Sequence, residues 1–177
     1  MTEPAVAVRR LADERHVQHL LIRDSPVADE AMLADTVRLV RQHGGILGTV
    51  TRMQPGLEDG LERVFRAAIE YGLDLDFHVD ETADPDARSL RSIAQAALRM
   101  RFPGRIVVGH CCSLARQPED EARRTMDLVA KAGIAVVSLP LCNMYLQDRG
   151  KDRTPRWRGV TDVHGLKAAA SSSSSSN

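Results

Sequence analysis

An excess of charge of either sign is missing from this 177-residue chain. Its 24 basic and 24 acidic residues cancel, which removes the global attraction that a nucleic-acid partner would exploit. Cysteine is scarce as well: three thiols cannot all pair within one chain, Cys111 and Cys112 are adjacent, and no two have zinc-knuckle spacing. Reduced thiols are therefore expected rather than a disulfide framework. The first residues hold no apolar secretory core, and no uninterrupted apolar run approaches the roughly 20 residues that span a bilayer. These absences predict a soluble, cytoplasmic protein with neither a membrane nor a nucleic-acid partner. What is present is apolar material, since 43% hydrophobic residues suffice for a single domain with a substantial core.

That material is periodic. Leu33, Val37 and Val40 recur at helical spacing over Ala31–Arg41 before Gly44 and Gly45, and the short apolar run Ile46–Val50 follows. Leu61, Val64, Phe65, Ala68 and Ile69 form a second helical stripe ending near Gly72, after which Leu73, Leu75, Phe77 and Val79 alternate as in a strand. A third helix is expected over Asp86–Met100, a strand at Arg105–His110, a fourth helix over Glu119–Lys131 and a strand from Ile134. Three helical crossovers between apolar runs predict an α/β fold with parallel strands, either doubly wound or part of a barrel. His19–Asp24 is a candidate earlier strand. Beyond Gln147 the chain is charged, Val160–Ala170 can form a short helix, and the serines Ser171–Ser176 have no apolar face. The expected organisation is one domain over residues 1–169 and a flexible tail over 170–177.

Polar groups gather where the strands end. His78 and Asp80 share a face by period two, opposite Phe77 and Val79, and can point into a central cavity; Glu81 follows as the chain leaves the strand. Imidazole can hold a metal, and carboxylate can hold a metal or accept a proton, although acidic capping of the next helix equally explains Asp80, Glu81 and Asp84. His110 ends the next apolar run, after Gly109, which permits a bend. Two histidines on successive parallel strands would meet at one rim. Cys111 and Cys112 read as small buried hydrophobes. After Pro140, Asn143 and Gln147 can hydrogen-bond a heterocycle or serve as ordinary loop residues. The basic run Arg149, Lys151, Arg153, Arg156 and Arg158 reads as a solvated loop or an oligomer contact.

The motifs HVDE, VVGH and VSLPLCNMYLQDR, in that order at successive strand ends, resemble the cytosine deaminase-like branch of the amidohydrolase superfamily. This resemblance, from about Ile46 through Lys167, implies a partial TIM-barrel (β/α) metal-dependent hydrolase that deaminates a small aminated heterocycle, such as cytosine or a related pyrimidine or triazine. It implies His78 as a metal ligand, Glu81 as the proton carrier, His110 beside metal and substrate, Asn143 and Gln147 in the substrate pocket, and Asp80 in the site framework. The implied cofactor is one divalent ion, zinc or iron. The family's paired HxH motif has no counterpart, since two residues separate His16 from His19, and no aspartate-ending strand follows Lys167. A partial barrel is thus expected, with a homo-oligomer as one way to cover its edges. Two alternatives stay open: a related amidohydrolase cleaving another C–N bond, and a noncatalytic structural or interaction domain derived from the barrel.

Overall fold

The computed structural model describes residues 19–20 and 30–174, with side chains over 30–172. Five parallel strands lie side by side in chain order: β1 (His19–Leu20), β2 (Ile46–Thr51), β3 (Leu75–Val79), β4 (Ile106–His110) and β5 (Ala135–Val137). Helices α1 (Glu30–His43), α2 (Leu57–Tyr71), α3 (Ser89–Arg99) and α4 (Glu119–Lys131) make the crossovers. A doubly wound sheet reverses its strand order at a switch point, and this one never reverses. Right-handed crossovers between consecutive neighbours place every helix on one face. The result is a segment of a β/α barrel, and the doubly wound alternative falls away.

The helix-facing side is the core. Leu61, Val64, Phe65 and Ala68 of α2 and Leu90, Ile93, Ala94 and Ala97 of α3 pack on Leu75, Phe77 and Val79 of β3 and on Ile106 and Val108 of β4. The Phe65 ring stacks at 6.1 Å from Phe77 and meets Phe102 edge-on at 5.2 Å, both favourable aromatic geometries. Gly72 ends α2 at φ 63°, where its N–H reaches the carbonyls of Ala68 and Ile69; a side chain would strain that conformation.

Three expectations change. The helix expected from Asp86 begins at Ser89, because Asp84 Oδ1 accepts the Asp86 N–H at 2.9 Å in a turn. The segment after β5 is helical rather than a loop: α5 spans Pro140–Leu146, with proline in its first turn, where a missing N–H costs nothing. Finally, the short helix expected over Val160–Ala170 is α6, which spans Val163–Ser174 and runs on into the serines. Three alanines favour the helix, and the Ser171 and Ser172 hydroxyls donate to the carbonyls of Lys167 and Ala168 one turn back. Of the early strand expected at His19–Asp24, β1 covers His19–Leu20, and positions 21–24, like His16, lie outside the described residues. At the opposite edge β5 is short and Val137 is exposed. Among the described residues no helix is long and apolar enough to cross a membrane.

Candidate active site

Register alone would keep the two strand-end histidines apart. His78 is aligned with Gly109, whereas His110 is aligned with Val79, a core residue facing the helices; cross-strand partners share a face. The backbone resolves this by turning sharply. His110 and Cys111 have φ 72° and 48°, a left-handed conformation that non-glycine residues adopt at a cost of about 1–3 kcal/mol each. The turn brings the His110 ring to His78, with centroids 4.8 Å apart and Nε2 2.9 Å from His78 Nδ1. The bend expected at Gly109 thus falls one residue later. Two hydroxyls brace the pair: Thr51 Oγ1 donates to the His78 carbonyl at 3.2 Å and Thr161 Oγ1 to the His110 carbonyl at 2.6 Å.

Adjacent acids take opposite roles. Asp80, at φ 47°, is buried, and its carboxylate accepts the backbone N–H groups of Ser89 and Leu90 at 3.0 Å each, together with the Ser89 hydroxyl. It therefore caps α3 from nine residues upstream while also lining the cavity beside His78. Its carbonyl accepts the N–H groups of Thr82 and Ser113. Burial raises its pKa and those hydrogen bonds pull the other way. Glu81 turns outward instead, placing Oε1 3.4 Å from His110 Nδ1 and 3.9 Å from Cys142 Sγ.

Asn143 and Gln147 come to the same place from α5 and the residue after it. Asn143 is fully buried, with Oδ1 2.7 Å from His110 Nδ1, and Gln147 Nε2 donates to the Glu81 carbonyl at 3.2 Å. The site gathers His78, Glu81, His110, Asn143 and Gln147, with Asp80 behind them. Cys142 and Thr161 were not anticipated. The thiol's only signal was its place beside Asn143, and Thr161 carried none. Arg52 and Met53, just past β2, join His78 and Glu81 in lining a cavity of about 380 Å³, within the size range of small-molecule sites. A larger groove between α4 and α6, lined by Met126, Asp127, Asp162 and Ala169, is separate from these polar groups.

The donor atoms of Glu81, His110 and Cys142 lie within 4.8 Å of one another. Carboxylate, imidazole and thiol suit a borderline ion such as zinc or iron better than calcium or magnesium, so the cluster is a candidate divalent-metal site. Nucleophilic cysteine chemistry does not fit. Burial, then the nearby Glu81 charge, pushes the Cys112 thiol up to about 12; burial also raises Cys111, and burial with Glu81 raises Cys142. All three thiols are unpaired and protonated near neutrality.

Known proteins are similar to this chain in sequence and in fold. The family model described as "Amidohydrolase family" matches residues 9–172. A pterin deaminase from Rhizobium rhizogenes is 56% identical over 143 residues, covering 81% of this chain and 33% of that protein. The N-isopropylammelide isopropyl amidohydrolase of a Pseudomonas species is 24% identical over 82 residues, covering 46% of this chain and 20% of that protein. The chain thus spans a third or less of the length of these relatives. The crystal structure of 5-methylcytosine deaminase from Klebsiella pneumoniae liganded with 5-fluorocytosine superposes with a TM-score of 0.73 at 22% identity, covering 84% of this chain and 37% of that one. That likeness supports the barrel-segment fold.

Proposed function

The chain belongs to the amidohydrolase family, and from that premise we propose that it carries part of the catalytic face of a metal-dependent deaminase acting on a small aminated heterocycle. The observation that carries this reading is the convergence of His78, His110 and Glu81 at the ends of adjacent parallel strands, linked at 2.9 Å and 3.4 Å. The 56%-identical pterin deaminase favours a fused ring bearing an amino group, with a cytosine-like pyrimidine as the related alternative. Three unpaired thiols support a reducing, cytoplasmic location.

His78 is the residue we assign to hold the ion, zinc or iron(II), with Glu81, His110 and Cys142 beside it. A bound divalent cation supplies acidity to water and so makes a nucleophile available near neutral pH. Glu81 accepts the proton of the attacking water. As the new C–O bond forms at the ring carbon and the exocyclic C–N bond breaks, it returns that proton to the leaving nitrogen, which departs as ammonia. The partly exposed Glu81 side chain suits this transfer, and Gln147 fixes the backbone from which it swings. His110 supports the attacking water through His78 and Glu81, the two side chains it holds in place. Arg52 and Met53 border the cavity where the ring would lie.

Metal content measured on the purified 177-residue chain, together with an ammonia-release screen over pterin, cytosine, isocytosine and aminotriazines, tests the proposal. Stoichiometric zinc or iron and turnover on one of these rings are expected. A folded, metal-loaded chain that releases no ammonia from any of them would remove this activity from the isolated chain.

A further inference from the structure

The hydrogen positions on the two histidines follow from what surrounds them. His110 Nδ1 faces two oxygens, Asn143 Oδ1 at 2.7 Å and Glu81 Oε1 at 3.4 Å. An ionised carboxylate can only accept, so the nitrogen turned toward it carries the hydrogen. A neutral imidazole has one such hydrogen, which leaves the lone pair on His110 Nε2. That nitrogen lies 2.9 Å from His78 Nδ1, and a hydrogen bond there requires His78 Nδ1 to donate. The His78 lone pair then sits on Nε2.

We propose that Asn143 is a positioning residue whose amide oxygen holds His110 in the Nδ1–H form and, through the bond between the rings, makes His78 present Nε2 as its lone-pair nitrogen. The opposite amide orientation would reverse every step. An amide N–H on His110 Nδ1 would move the His110 hydrogen to Nε2 and the His78 hydrogen to Nε2 as well, leaving that nitrogen with no lone pair for a cation or a water proton. The fold holds the productive orientation at a visible cost. Asn143 is fully buried in α5, its backbone N–H donating to Leu139 and its carbonyl accepting from Gln147, while its Nδ2 has no hydrogen-bond partner among the described residues. A buried amide nitrogen left unsatisfied calls for a reason; placing the oxygen on His110 supplies one. Asn143 therefore acts behind the histidines and does not touch the ring being deaminated. This deepens the deaminase reading, on which its consequence for metal binding rests; the tautomers themselves do not depend on it.

The test uses the metal-free chain labelled with 15N-histidine, at a pH above the histidine range, where long-range 1H–15N correlations separate protonated from lone-pair ring nitrogens. Spectra of His78→Gln and His110→Gln assign the signals, and the exposed His43 and His164 serve as references. The wild type should show Nδ1–H at both His78 and His110. Asn143→Asp, which keeps an acceptor, should preserve the pattern, whereas Asn143→Leu leaves only the longer Glu81 contact of 3.4 Å on His110 Nδ1 and should mix the tautomers at both rings and weaken zinc binding about 10–100-fold, the usual effect of removing a residue that orients a ligand. Nε2–H at His110 in the wild type, or an unchanged pattern in a folded Asn143→Leu variant, would overturn the proposal. Should Asn143→Leu fail to fold, the wild-type spectrum still decides. The expected tautomers without zinc binding or ammonia release would defeat the deaminase reading and leave this inference standing.

Discussion

Phe65 and His110 are equally hidden from water, at 0% and 2% exposure, but their surroundings differ in kind. Phe65 sits between α2 and β3 among apolar side chains, where contacts have no direction and are replaceable by others of similar volume. His110 sits at the strand-end rim, where each polar atom has a specified partner: Asn143 and Glu81 on one nitrogen, His78 on the other, Thr161 on the carbonyl. Burial in the first region stabilises the fold. In the second it buys orientation, at the expense of left-handed backbone at Asp80, His110 and Cys111 and an unsatisfied amide at Asn143.

The sharpest way to separate the two regions is to change Glu81 to Gln. Ammonia release should fall roughly a hundred- to ten-thousand-fold, the usual worth of a positioned acid–base group, while the melting temperature barely moves because the side chain is partly exposed. A parallel loss of folding would merge the regions. Phe65→Ala should do the reverse, costing about 3–5 kcal/mol in denaturant unfolding without altering the histidine tautomers. Asp80→Ala lies on the boundary: loss of the α3 cap should cost about 1–2 kcal/mol and speed hydrogen exchange at the Ser89 and Leu90 amides. Unchanged exchange there would show that the cap is not what holds α3.

The smallest effect belongs to the outer loop. Arg153, with the backbone N–H groups of Arg156 and Trp157, holds the Asp148 carboxyl below the usual carboxylate range. A carboxyl depressed in the folded state contributes stability above its unfolded value, near about pH 4, and loses that contribution as pH falls toward its folded value. Asp148→Asn should therefore melt slightly below the wild type at neutral pH, and the gap should close in acid. Since the Arg153–Asp148 ion pair is partly open to solvent, screening keeps the gap small; a gap that widens in acid would reverse the sign assigned to this carboxyl.

Much of this is legible in the sequence. The stripe Leu61, Val64, Phe65, Ala68 and the alternation Leu75, Phe77, Val79 announced which faces would be buried, because periodicity records burial one residue at a time. HVDE and the histidine of VVGH were visible as polar groups where apolar runs stop. The roles of neighbours were not legible. Asp80 and Glu81 are both acids at a strand end, and only the position of Ser89 and Leu90 makes one a cap while His110 makes the other a site residue. Cys142, Thr161 and the helix at Pro140–Leu146 escaped for the same reason: their partners are distant in sequence, and local pattern carries no trace of them.

By itself the sequence determined the order of helices and strands, the apolar faces that bury them, and the residue types available at the strand ends. Those properties depend on neighbours a few positions away, through period, propensity and hydrophobic area. Tertiary structure decided that the strands run unreversed as a barrel segment, that His110 leaves the helix-facing side to meet His78, and that Asn143 turns its oxygen toward that ring. Hydrogen bonds are directional and short in range, so such choices exist only once residues some 30 positions apart, His78 with His110 and His110 with Asn143, have been brought within 3 Å.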